Sequence, residues 1–108
     1  MKISVIVAYH DEKNYIRDCL ESLSDQCFRD FEVVMVCDGC DKPDVSDWNG
    51  LQIQFARTEG AGGVAAARNV GLDKAAGEYI FFMDADDYLA PDTLERLVGS
   101  EVSGGVVY

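Results

Sequence analysis

The chain has 108 residues, 48% of them apolar, and sets 20 acidic side chains against 9 basic ones for a formal charge of −11. That balance suits a single globular domain with a real core and argues against disorder. It also excludes a nucleic-acid footprint over the whole molecule, because so acidic a surface repels a phosphate backbone.

From the N-terminus, no apolar run approaches the roughly 18 to 20 residues of a membrane span, and Met1-Lys2-Ile3-Ser4 lacks a signal-peptide pattern, so a cytoplasmic location is expected. Ser4 to Ala8 is a near-continuous apolar run ending at Tyr9-His10-Asp11-Glu12, which predicts a strand buried on both faces. Tyr15, Ile16, Cys19, Leu20 and Leu23 recur at three- and four-residue spacing and predict an amphipathic helix from about Glu12 to Ser24. Phe31 to Val36 predicts a second strand, ended by the turn formers between Cys37 and Asp44. Leu51 to Phe55 alternates with period two, as a strand towards a sheet edge does.

Gly60 to Gly63 reads as a loop, followed by a helix from about Val64 to Ala76 that Gly77 closes in a left-handed conformation. Tyr79 to Met83 is the most apolar segment, a fourth strand running into Asp84-Ala85-Asp86-Asp87. Pro91 and Asp92 open a third helix through about Val98, and Val102 to Tyr108 is apolar enough to be expected as a final strand. This order predicts an α/β fold: an open, mostly parallel sheet with helices on both faces. Ligands of such sheets sit beyond the carboxyl ends of the strands, where Tyr9–Glu12, Cys37–Cys40 and Asp84–Asp87 should line one crevice.

Asp84, Asp86, Asp87 and Asp92 crowd four acids into nine residues. Mg²⁺ or Mn²⁺ would relieve the repulsion in the triplet after the buried strand, since both take hard carboxylate and phosphate oxygens. The competing reading is a solvated turn, and Asp92 after Pro91 is read as a helix N-cap. An acidic crevice holds a diphosphate only if a metal bridges the two, helped by Arg57 or Arg68.

Other motifs carry less. Gly60-Ala61-Gly62-Gly63-Val64-Ala65 fits G-x-G-x-x-A, but the strand before it alternates and is separated by Arg57-Thr58-Glu59, against a dinucleotide site. Cys37-Asp38-Gly39-Cys40 is a lone C-x-x-C that runs into a turn rather than a helix and lacks two further zinc ligands. All four cysteines, Cys19, Cys27, Cys37 and Cys40, are read as free thiols. His10 is read as a polar loop residue and Trp48 as packing under a loop. A receiver-type phosphorylation domain is disfavoured because no lysine follows Asp84.

Ser4 to Glu12, Cys19-Leu20-Glu21-Ser22-Leu23 with Gln26, and Asp30-Phe31-Glu32 leading to Asp38-Gly39 resemble the opening of the GT-A fold, family-two glycosyltransferases. Ala67 to Leu72, Ala76 to Ile80, and Met83 to Asp87 with Pro91 to Glu95 resemble its second block, whose last part is the family's D-x-D motif. The resemblance spans nearly the whole chain and implies a Rossmann-like nucleotide-sugar site. In it Tyr9 would lie against the base, Asp38 would accept a hydrogen bond from it, and Arg68 would lie near the ribose or phosphates. Asp84 would approach ribose and metal, while Asp86, with Asp87, would hold Mn²⁺ or Mg²⁺ on the diphosphate. The implied activity is inverting transfer from a nucleotide sugar, UDP-linked by preference, to a hydroxyl acceptor that is a saccharide or lipid-linked.

The chain departs from the family's pattern in two places. Ala8-Tyr9-His10 stands where Pro/Thr-x-Tyr-Asn is usual, and Cys37 and Cys40 stand where the family usually has Asp and Ser. The family's domain is about twice as long, and no residue here matches its general base. Residues 1–108 are therefore expected to be a truncated N-terminal part that binds donor but does not complete transfer. The rival class is a non-catalytic acidic α/β module for signalling or partner binding.

Overall fold

The apolar run near the N-terminus becomes β1 (Ile3–Tyr9), the central strand of a parallel sheet, because its side chains alternate between two buried faces. A computed structural model describes residues 2–59 and 63–99 and the backbone of Val106–Val107. After β1 come α1 (Ile16–Ser24), β2 (Phe31–Asp38), one 3-10 turn (Ser46–Trp48), β3 (Ile53–Thr58), α2 (Gly63–Lys74), β4 (Tyr79–Asp84), α3 (Thr93–Gly99) and β5 (Val106–Val107). The sheet order is β3-β2-β1-β4-β5, with every pairing parallel. Strand order reverses between β1 and β4, the place where open α/β sheets leave a crevice. Among the described residues no helix is long and apolar enough to cross a membrane.

The larger core joins Ile3, Val5, Val7 and Tyr9 of β1 to Val33, Met35 and Cys37 of β2 and to Cys19, Leu20 and Leu23 of α1, with Leu94 of α3. The opposite face is thinner: Ile6, Val34 and Val36 pack on Ala67 of α2, flanked by Ala8, Ile80 and Phe82. Small residues let α2 lie close to the sheet, and Gly71 sits directly against Ile6.

Several boundaries differ from expectation. α1 begins at Ile16 rather than near Glu12, because Asp11 takes a left-handed conformation (φ 65°) and the Glu12 carboxylate turns back to accept the His10 amide. Tyr15 is thereby left exposed, off the helical stripe. β2 runs two residues past Val36, so Cys37 and Asp38 end a strand instead of opening a loop. β3 lies at the sheet edge as expected but starts at Ile53, since the Leu51 amide donates to Trp48 O (2.9 Å) and belongs to the preceding turn. Trp48 does pack beneath that turn, its Nε1 donating to Glu21 Oε1 at 3.1 Å. Asp92 pairs with Arg96 (2.8 Å), and the Leu94 amide of α3 is taken by Gln26 Oε1 (3.0 Å).

α2 ends at Lys74, before Ala76, and Gly77 is not its left-handed stop. Of the strand expected over residues 102–108, Val106 and Val107 are described, and the rest lies outside the described residues, as do Gly60, Ala61 and Gly62.

A buried polar knot ties α2 back to the sheet. Glu32, 4% exposed, accepts from Ser4 Oγ (2.7 Å), from the Ala76 amide (2.7 Å) and from Gln54 Nε2 (3.3 Å). Ser4 Oγ in turn accepts the Gly77 amide at 2.8 Å. Glu32→Ala strands these donors and is expected to cost roughly 2–3 kcal/mol, with Glu32→Gln, which keeps one acceptor oxygen, costing about half as much. Urea titration checks the order, and an unchanged midpoint in Glu32→Ala would show that the knot carries no stability.

Candidate nucleotide and metal site

Register brings the expected loops to one level: Ala8 pairs with Asp84 across β1–β4, and Tyr9 pairs with Cys37 across β1–β2. Alternation then sorts the side chains. Cys37, Met83 and Ala85 face the larger core, so Asp38 and Asp84 project on the α2 side, flanking Ala8. Ala8 lines the floor between their strands, and His10 reaches Asp38 across the same space. The cleft that results, about 190 Å³, is lined by Tyr9, His10, Glu12, Asp38, Asp84 and Asp86, with Val64 of α2 on its rim.

The turn after β4 is built to present acids. The Ala85 amide donates to Ala8 O (3.1 Å), extending the ladder by one bond, and the Ala85 side chain is wholly buried. The residue between the two aspartates therefore points inward and Asp86 points outward. Asp87 closes the turn twice, its amide donating to Asp84 O (3.0 Å) and its Oδ2 accepting the Asp84 amide (3.0 Å). Carboxylate oxygens of Asp84, Asp86 and Asp87 lie within 4.8 Å of one another. Three hard anionic donors at that separation repel one another and fit a divalent cation such as Mg²⁺ or Mn²⁺.

Asp38 is 8% exposed and fixed by Thr58, whose Oγ1 donates to Asp38 Oδ1. His10 spans the first two loops: its Nδ1 donates to Asp38 O at 2.7 Å and lies 3.9 Å from Asp38 Oδ2. Glu12 lines the cleft within the expected Tyr9–Glu12 loop, whereas Thr58 is not foreseen as a site residue from the sequence. Only the register of β3 against β2, which pairs Thr58 with Asp38, reveals it.

Tyr9 is placed at the expected level but is 1% exposed, with its ring in the larger core and its phenol pKa raised by burial. It forms the wall between the acidic cleft and a hollow of about 620 Å³ that Lys13, Arg17, Cys40 and Lys42 also line. The two candidate cations separate. Arg68 stacks over Phe82 (5.0 Å to the ring centroid), two residues before Asp84 on the same sheet face. Arg57 instead lines a hollow with Cys37, Cys40 and Phe55 on the α1 side.

All four cysteines are free thiols. Burial pushes Cys37 up to about 11 and Cys19 up to about 12, so both stay protonated near neutrality.

Comparison with known proteins places this geometry. The family described as glycosyl transferase family 2 matches residues 4–103. The chain is 36% identical over 104 residues to the glycosyltransferase GlyA of Streptococcus pneumoniae, covering 89% of this chain and 14% of that protein. Among solved structures, TarS of Staphylococcus aureus in complex with UDP-GlcNAc superposes with a TM-score of 0.83 at 37% identity, over 92% of this chain and 30% of that one. The mannosyltransferase PcManGT of Pyrobaculum calidifontis, in complex with GDP-Man and Mn²⁺, gives 0.79 at 30% identity, over 90% of this chain and 31% of that one. The chain spans 14% to 40% of the length of such curated relatives. A match over nearly the whole chain, on a parallel sheet that gathers its acids at the β1–β4 crevice, establishes that this chain belongs to glycosyl transferase family 2, with the GT-A fold.

Proposed function

We propose that the chain is the donor-binding, N-terminal part of an inverting glycosyltransferase that uses a UDP-sugar. The observation that carries this reading is the convergence of Asp38, Asp84 and Asp86 around Ala8. The solved neighbour with UDP-GlcNAc supports the donor class, and the Mn²⁺ complex of the other supports the ion.

In this reading Asp38, already oriented by Thr58, accepts a hydrogen bond from the base, and Tyr9 walls the base side of the cleft. Arg68, held on Phe82, balances charge near the ribose and phosphates. Asp84 reaches the ribose and the cation, and Asp86 holds the cation with Asp87 beside it. A bound Mn²⁺ or Mg²⁺ supplies Lewis-acid neutralisation of the charge that builds on the departing diphosphate. The acceptor hydroxyl, on a saccharide or a lipid-linked carrier, attacks the anomeric carbon from the opposite face, which inverts it. No residue of this chain is assigned as the general base.

Calorimetric titration of UDP into the chain tests the proposal. Binding is expected with Mn²⁺ and lost in excess EDTA. Equal binding in EDTA, or none in a folded sample with Mn²⁺, would favour an acidic module that uses the cluster only for charge.

A further inference from the structure

Cys37 and Cys40 are not absorbed by the donor site, yet the fold brings them together beside it. Cys37 is the penultimate residue of β2, and Gly39 turns the chain immediately afterwards at φ 72°, its amide donating back to Cys37 O (3.2 Å). Cys40 Sγ then reaches Tyr9 O at 3.6 Å, and Tyr9 is the direct partner of Cys37 in the β1–β2 ladder. Both cysteines sit on the α1 face of the sheet, and both line the hollow shared with Arg57 and Lys42. Between them lies Asp38, whose carboxylate enters the acidic cleft on the other face.

We infer that Cys37 and Cys40 form a reversible disulfide that re-sets the Asp38-Gly39 turn and weakens nucleotide binding at the proposed donor site. The second half of this inference rests on the donor reading; the first does not. The oxidant is a small-molecule disulfide such as oxidised glutathione. Cys40, the less buried of the two, loses its proton and attacks one sulfur of that disulfide, releasing one glutathione thiolate and leaving Cys40 in a mixed disulfide. Cys37 then gives up its proton, and its thiolate attacks Cys40 Sγ and expels the second glutathione. In sum, two protein thiols are oxidised to one S–S bond and one glutathione disulfide is reduced to two thiols.

Burial keeps the Cys37 thiolate scarce, with Arg57 and Lys42 opposing that effect. The second step is feasible because both cysteines line one hollow three residues apart in the chain, which replaces an encounter with an intramolecular step. Closing the bond draws Cys40 away from Tyr9 O and pulls on the Gly39 turn that directly follows Asp38, against the hold of Thr58 on its carboxylate.

The test is incubation of the chain with oxidised and reduced glutathione at set ratios, followed by peptide mapping and UDP titration with Mn²⁺ in each state. The expected result is a Cys37–Cys40 cross-linked peptide that dithiothreitol reverses, with UDP affinity at least about tenfold weaker in the oxidised form. In Cys40→Ser the cross-link is absent and oxidised and reduced samples bind UDP alike. Oxidation confined to glutathione on the exposed Cys27, with Cys37 still free, would overturn the disulfide. A mapped cross-link with unchanged UDP affinity would overturn the control of binding. Should the reduced chain bind no UDP at all, the donor reading and the control fail while the mapped bond stands, so the two failures are told apart.

Discussion

Asp86→Ala is expected to lower the affinity for UDP measured with Mn²⁺ by about 100-fold, roughly 2.7 kcal/mol, while leaving the urea midpoint almost unchanged. The separation of these effects follows from geometry. Asp86 is exposed, and its carboxylate makes no hydrogen bond or ion pair among the described residues, so the fold loses little without it. Binding loses one of the two acids of the turn after β4, Asp84 and Asp86, that line the cleft itself. A direct ligand should cost at least the 10–100-fold typical of residues that merely support one. Asp87→Ala should behave differently, because Asp87 Oδ2 caps the Asp84 amide and its loss costs about 1 kcal/mol of stability. Calorimetry of both variants with Mn²⁺ and in EDTA checks the distinction; undiminished UDP binding by Asp86→Ala would remove that residue from the metal site.

The largest stability loss from a single methyl is expected at Gly77. A Cβ there would stand 2.6 Å from Ser4 N and 2.7 Å from Ile3 C, both main-chain atoms of the central strand. Neither moves without disturbing β1 against its neighbours, so Gly77→Ala should cost about 3 kcal/mol, the upper end of ordinary overpacking. It would also pull the Gly77 amide from Ser4 Oγ and loosen the Glu32 knot. Gly71→Ala meets only the side chain of Ile6, which can adjust its rotamer, and should cost about 1 kcal/mol. Urea unfolding of the pair ranks them, and a Gly77→Ala chain as stable as its parent would refute the close approach.

Gly77 also illustrates what the sequence conveys and what it withholds. A glycine after a run of helix formers reads as a left-handed stop, whereas the chain needs it for contact with a strand more than 70 residues earlier. Nothing local encodes that contact. β1 was legible because a strand buried on both faces must be apolar almost throughout, and β4 through its apolar run Tyr79–Met83, of which Phe81 and Met83 are buried and the others half-buried. The start of α1 was not, since the turn at Asp11–Tyr15 depends on the Glu12 carboxylate folding back on His10.

At the site, the acids after β4 stood out by their crowding, and the sheet order put them opposite Asp38 as the crossovers required. Strand parity was the missing information elsewhere. It sends the Tyr9 ring into the larger core and Arg57 to the α1 face, while Phe82, on the opposite face, receives Arg68 from α2. The buried Glu32 was invisible as an energetic centre because its donors come from β1, β3 and the segment after α2.

In the proposed donor site one cation is shared between the turn after β4 and a diphosphate. Crystals grown with Mn²⁺ and UDP and measured at the manganese absorption edge test this most directly. An anomalous peak is expected within about 2.0–2.3 Å of carboxylate oxygens of Asp86 or Asp84 and of the diphosphate. A nucleotide bound with no anomalous peak near those aspartates, or manganese found only elsewhere on the surface, would contradict it.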